Sequence, residues 1–325
     1  MRFFRGCKTA ALFVGSVVGA GFATGQEILL FFGEGGTADL LIAALFMAFS
    51  AYLFLNLSDA PVLNDARIKV GADAVIALSS FAVYAAMIAA SEEVLRSLTG
   101  RAGWSAALAI AVSCVAGKKN RGIAALNLIA VPLMIAVIAF VGVRFGGRTE
   151  GSLHPLRAIG YGGMNLLFSA ALMREEGRKL TRGERRIASL LIGAMLFPML
   201  LFMRRTVALS PSPNMPFLAV ASRAGLGTIS SLSLLLAIVT TMASCGYLAT
   251  DRLTVFTKDP LLSISSVTLL GILAATIGFA PLVLATYPIV SYLGIAVTLG
   301  GLGVSFFFFL EKRKGAKVRL KKSGT

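Results

Sequence analysis

The sequence predicts an all-α polytopic membrane protein of about ten transmembrane helices, in a five-plus-five inverted repeat whose first and sixth helices are broken. Three observations carry this. Of the 325 residues, 57% are hydrophobic and 14% charged, with a mean hydropathy of +0.83, whereas soluble domains carry about 25% charge. Apolar runs recur from Thr9 to Leu310, each near the roughly 20 residues that cross a hydrocarbon core as a helix. The first run holds glycines and a glutamate, which a plain membrane helix disfavours.

In chain order the apolar windows are Thr9–Phe32, Ala38–Leu57, Gly71–Ser91, Gly103–Gly117, Gly122–Val143, Pro155–Met173, Ile187–Met203, Thr228–Ala249, Leu262–Ala285 and Tyr287–Leu310. The connections near Gly146–His154 and Glu175–Arg186 are too short to fold alone. The chain therefore reads as a single transmembrane domain, 1–325, with repeats at about 9–143 and 155–310 and a basic tail at 311–325.

Charge sets the orientation. With both termini cytoplasmic, all but eight of the 31 basic residues fall inside: Arg2, Arg5, Lys8, Arg67, Lys69, Lys118, Lys119, Arg121, the Arg174–Arg186 cluster, Arg252, Lys258 and the tail. Arg96, Arg101, Arg144, Arg148, Arg157, Arg204, Arg205 and Arg223 fall outside. That bias follows the positive-inside rule, and removing one span would scramble it. The net charge of +16 then reads as topology determinants and contacts to anionic lipids, with no nucleic-acid partner. Cys7, Cys114 and Cys245 lie far apart, and His154 has no neighbouring ligand candidates, so neither a disulfide framework nor a histidine metal site is expected. The basic, apolar opening also has the form of a signal peptide, but the apolar stretch resumes through Ile28–Phe32, and cleavage would break the orientation. Cys7 stands at the membrane boundary, where lipidation occurs.

The first span is the informative one. Gly15, Gly19, Gly21 and Gly25 give two GxxxG spacings, which suit close helix packing. Thr24-Gly-Gln-Glu27 adds the form of a capping box, which starts a helix. Together they predict a half-helix over Thr9–Val18, an unwound Gly19–Ala23 and a second half over Gln26–Phe32. Unwound backbone is tolerated at membrane depth only inside protein or beside a wet cavity, where a solute or ion can satisfy it. Glu27 reads as the only acid well inside a span. It is either the cap or a proton carrier, cation ligand or gate. Glu92 and Glu93 end the third span as boundary or vestibule residues. The sixth span, with Gly160-Tyr-Gly-Gly-Met-Asn165, is a second broken helix or a glycine packing face.

GSVVGAGFATGQEILLFF (Gly15–Phe32) resembles the opening signature of the YkvI family of bacterial membrane proteins, and the likeness extends over the chain. That family is similar to the amino acid–polyamine–organocation superfamily and its LeuT-type fold. The resemblance implies a multi-pass protein of the bacterial inner membrane with a solute site between the first, third, sixth and eighth spans. Amides of Gly21, Phe22 and Ala23 would then meet a solute carboxylate, and carbonyls near Val18, Gly19 and Ala20 its amino group. Tyr84, Tyr161 and Asn165 would face the site. Thr240, Thr241 and Ser244 would join Gly15 and Val18 around a sodium ion, or simply bond their own helix. Thr24, where serine is frequent, and the charged Arg174–Arg186 stretch depart from the pattern.

Pro132, Pro198 and Pro281 would kink their spans, and Phe306–Phe309 would face lipid. No nucleotide motif occurs. With one loop histidine and one buried acid, an enzyme is not expected. The reading is a secondary transporter of a small amino-acid-like or amine-bearing solute, coupled to sodium or protons; the alternative is a membrane receptor or sensor on the same fold.

Overall fold

The computed structural model describes residues 2–59, 66–116, 121–210 and 214–322. Lys118 and Lys119, part of the expected inner charge, and the last three residues of the tail lie outside these. The described residues form thirteen α-helices and a short 3-10 turn. Five helices are long and apolar enough to cross a membrane: Thr37–Asn56, Asp73–Thr99, Arg182–Val207, Gly227–Thr257 and Phe279–Phe307. Trp104–Cys114, Pro132–Phe145 and Pro260–Ala275 are shorter apolar helices. The protein is a helical, multi-pass membrane protein.

The first span is three helices: α1 (Arg2–Val17), α2 (Ala20–Thr24) and α3 (Gln26–Phe32). The interruption is not where the sequence put it. Gly19–Ala23 does not stay unwound. The amide of Ala23 donates to the Gly19 carbonyl at 3.0 Å, so Ala20–Thr24 closes one helical turn, and the breaks fall at Val18–Gly19 and at Gly25. Gly25 adopts φ +78°, the left-handed region where a Cβ costs about 1–2 kcal/mol. That turn also removes the capping box. The Thr24 hydroxyl accepts from the amide of Gln26 at 3.2 Å and donates to the Gly21 carbonyl at 2.7 Å, while the Glu27 side chain turns toward Gly21. The box that does form is Thr181–Glu184, at the start of the seventh span.

The second to fifth apolar windows fall on α4 (Thr37–Asn56), α5 (Ala66–Thr99), α6 (Trp104–Ala116) and α7 (Arg121–Phe145). The sixth is α8 (Pro155–Lys179), and it runs unbroken, against the expectation of a second broken helix. Its glycines serve packing instead. A Cβ on Gly163 would lie 2.9 Å from the Ile295 amide and 3.0 Å from the Ser291 carbonyl, so small residues let α8 seat against the last helix.

Next come α9 (Arg182–Val207), α10 (Pro216–Arg223), α11 (Gly227–Thr257), α12 (Pro260–Ala275) and α13 (Phe279–Lys322). The ninth and tenth spans part at Thr276–Gly278 rather than after Ala285. Gly278, at φ +100°, makes the turn. Pro281 therefore sits in the first turn of α13, where a missing amide costs nothing, and Pro288 is the proline inside that helix.

Helix α4 packs on α8 and α9, and α1 packs on α9; α5 packs on α11, α6 and α12, and α11 on α6 and α12. The interrupted segment lies between these groups, with α2 against α11 and α3 against α8, α9 and α13. The charged stretch after α8 closes its carboxyl end. Arg185 Nη2 donates to the Gly177 carbonyl at 2.7 Å and to Ser58 Oγ at 3.3 Å, supplying donors to carbonyls the helix cannot satisfy.

Candidate functional site

The break gathers several buried polar residues, among them Thr24, Gln26 and Glu27. Helix α1 ends at Val17, with the Val18 amide donating to the Val14 carbonyl at 2.8 Å. The carbonyls that follow, from Gly15 to Val18, therefore have no amide in helical register. Gly19 is extended, at φ −88° and ψ −172°, and the next amide, Ala20, donates to Thr241 Oγ1 of α11 at 3.4 Å. Thr241 thus stands at the break. Thr240 and Ser244 bond their own helix, to the carbonyls of Ala237 at 3.0 Å and Thr240 at 2.9 Å. Both hydroxyls keep lone pairs.

Gly25 redirects the chain so that Glu27 swings back over α2. Its Oε1 and carboxyl carbon fill the space beside Gly21, where the Tyr287 hydroxyl of α13 also arrives. Glu27 is 7% exposed, and its Oε2 is buried with no hydrogen-bond partner. A bare buried carboxylate is costly, so this group must take up a proton or meet a cation. Tyr161 is fully buried on α8. Its ring meets Phe31 and Phe32 edge-on, with centroids 5.6 Å and 5.2 Å apart. Gln26 Oε1 is a further buried acceptor without a partner.

Of the sequence-predicted residues, Gly19, Ala20, Gly21, Phe22, Ala23, Glu27, Tyr161 and Thr241 converge here, and Val18 and Gly15 end the half-helix beside them. Asn165 is buried beside Tyr161, and its side-chain amide donates to the Tyr161 carbonyl at 3.0 Å. Tyr84 is elsewhere. Its ring is wedged between Gly246 of α11 and Gly271 of α12, and its hydroxyl bonds Ser113 Oγ of α6 at 2.9 Å. It lines a cavity of about 380 Å³ among α5, α6, α11 and α12. The reason is register. Thr241 faces the break, and Gly246, five residues on, lies on the opposite side of α11, so a residue packed on Gly246 cannot reach the break.

No protein-family model matches the sequence. The chain is similar to YyaD of Bacillus subtilis (strain 168), described as an uncharacterized protein, at 27% identity over 89% of this chain and 94% of YyaD. The likeness spans nearly the whole length of both chains.

Three residues of the neighbourhood escaped the sequence reading. Tyr287 was assigned only as the start of a span, whereas it lies about two turns into the last helix. Glu27 remains the acid well inside a span, but Asp39 is buried too, 1% exposed in the first turn of α4. Its Oδ1 accepts from the His154 amide at 2.8 Å, which joins the start of α4 to the start of α8. Arg204, also buried, donates from Nη2 to the Gly33 carbonyl at 3.0 Å. Glu92 is a boundary residue: it accepts from the amides of Gly103 and Ser105 at the start of α6.

Proposed function

We propose that this protein is a secondary transporter of a small amino-acid-like or amine-bearing solute, driven by a cation gradient and working by alternating access. One observation carries the reading: the interrupted first span holds a carboxyl without a partner, Glu27, beside Gly21 in the membrane interior. Intramembrane acids of this kind mark solute or ion pathways, and interrupted helices hold transporter sites.

The helix contacts support the repeat. If the sixth to tenth spans mirror the first to fifth, α4 on α8 has α9 on α1 as its mirror. Likewise α5 on α12 has α11 on α6, and α5 on α6 has α11 on α12; each of these pairs is in contact. The pairs α4 with α9 and α5 with α11 are their own mirrors and are also in contact. In this reading α1, α4, α8 and α9 form one moving body and α5, α6, α11 and α12 the other, with the break between them. The mirror fails where α8 runs straight, so one broken span serves the site and Tyr161 takes the part of the second. The carbonyls of Gly15 and Val18 with the Thr241 hydroxyl would be the place for sodium, whose hard-donor chemistry they suit.

The test is uptake by the purified protein in vesicles, with labelled amines and amino acids under an imposed sodium or proton gradient. Accumulation that collapses with the gradient is the expected result. Binding without accumulation under either gradient would overturn the proposal.

A further inference from the structure

This inference rests on the transport reading and narrows its solute. We propose that the site selects an amine without a carboxylate, with Glu27 serving as its counter-ion and the rings of Tyr161 and Tyr287 as its walls.

The first argument is what is missing around Glu27. Among the described residues the ion pairs join other groups, and none reaches Glu27. A site built for an amino acid needs something to hold its carboxylate. The sequence offered the backbone of Gly21, Phe22 and Ala23 for that purpose, but the chain has put its own carboxyl against Gly21. A solute carboxylate would have to share that spot with Glu27, and two adjacent carboxylates disfavour each other's ionised form.

The second argument is what is present. The groups gathered beside Gly21 are acceptors, or can act as acceptors: Glu27 Oε2, which has no partner, and the Tyr287 hydroxyl next to it, with the phenol of Tyr161 packed on Phe31 one helical turn from Glu27. An ammonium group brings three donors and no acceptor, which matches that set. Tyr161 is held edge-on to Phe31 and Phe32, so an aromatic lining stands next to the acid, and organic cations are attracted to aromatic faces. Acid and phenols without a basic residue form a receptor for a cation, not for a zwitterion.

The test compares solutes that differ only by the carboxylate: tyramine with tyrosine, agmatine with arginine, and cadaverine with lysine. Each is titrated against the purified full-length chain in micelles, following thermal unfolding, since a ligand of the folded state raises the unfolding temperature. At least one amine should stabilise the protein with an apparent affinity about tenfold or more above that of its amino acid. Glu27→Gln should abolish that response while the unliganded protein melts no lower. An amino acid that stabilises as well as its amine, a panel in which no amine stabilises, or a Glu27→Gln protein that still responds would each overturn the inference. If Glu27→Gln does not fold, the wild-type pairs decide alone. The two readings fail separately: amine binding without uptake sinks transport and leaves the selectivity standing, whereas uptake of amino acids but not amines does the reverse.

Discussion

The Ala20 amide donates to Thr241 Oγ1 at 3.4 Å across 221 residues of sequence, so a side chain of the eighth span supplies what the broken first span cannot. A buried amide left without an acceptor costs about 1–3 kcal/mol. Thr241→Val keeps the shape and removes the acceptor, and should lower stability by about that amount in thermal or denaturant unfolding. Thr241→Ser should restore most of it. Thr240→Val is the control: its hydroxyl bonds the carbonyl of Ala237, so its loss should cost less than half as much. Equal effects at both positions would show that the long-range bond contributes nothing special.

Gly21 and Gly19 are two residues apart but should respond differently to a methyl group. A Cβ on Gly21 would fall on the Glu27 carboxyl, whereas one on Gly19 would meet only Thr241 Oγ1 at 3.5 Å, an ordinary contact. Gly21→Ala should therefore displace Glu27 and cost about 1–3 kcal/mol as overpacking does, with solute binding lost. Gly19→Ala should fold and bind nearly as the native chain does. Unfolding curves and ligand-induced stabilisation of the two variants measure this directly.

Much of this was legible because composition and glycine placement act locally. The apolar windows fell on the helices from α4 to α9 and on α11, though α10 lay outside every window, and the cluster Gly15, Gly19, Gly21 and Gly25 marked a real interruption. What stayed hidden depended on tertiary contact. A Ser/Thr-x-x-Glu spacing occurs at Thr24 and again at Thr181, yet only the second forms a capping box. At the first, the left-handed Gly25 intervenes and the glutamate finds Gly21 instead. The glycines of α8 looked like those of the first span, and only the approach of α13 to Gly163 tells packing from a break. The resemblance put Tyr84 at the site, whereas its ring packs on Gly246, on a different side of α11 from Thr241.

That distinction gives a prediction for α8. Gly163 and Gly294 lie backbone to backbone where α8 meets α13. Gly163→Ala should cost about 1–3 kcal/mol by forcing the two helices apart. Gly183→Ala, where a Cβ would meet nothing within 4 Å, should be neutral or slightly stabilising, since alanine is the better helix former by about 1 kcal/mol. If α8 instead opened at Gly160–Gly163 as the first span does, Gly163→Ala would alter solute binding more than stability.

Asp39 offers a test on the collar that joins the ends of the first and sixth spans. The loop after α3 and the loop before α8 are laced by the Ser152 amide to the Glu34 carbonyl at 3.0 Å, Thr37 to Thr149 at 2.8 Å and Arg157 to Glu34 at 2.8 Å. The last two are exposed and hence individually weak. Asp39 is buried, and it accepts from the His154 amide at 2.8 Å. It thereby places one carboxylate between the amino ends of α4 and α8, where helix dipoles favour negative charge. Asp39→Ala strands the His154 amide and should cost about 1–3 kcal/mol. Asp39→Asn keeps an acceptor oxygen and should recover part of that, the remainder measuring the charge. Hydrogen exchange should speed up at His154 in Asp39→Ala and much less in Asp39→Asn. Glu34→Gln, which touches only the exposed pairs, should leave both stability and exchange at His154 within error of the native protein. If Glu34→Gln proved the more damaging change, the collar would be held by its surface ion pairs and not by the buried acid.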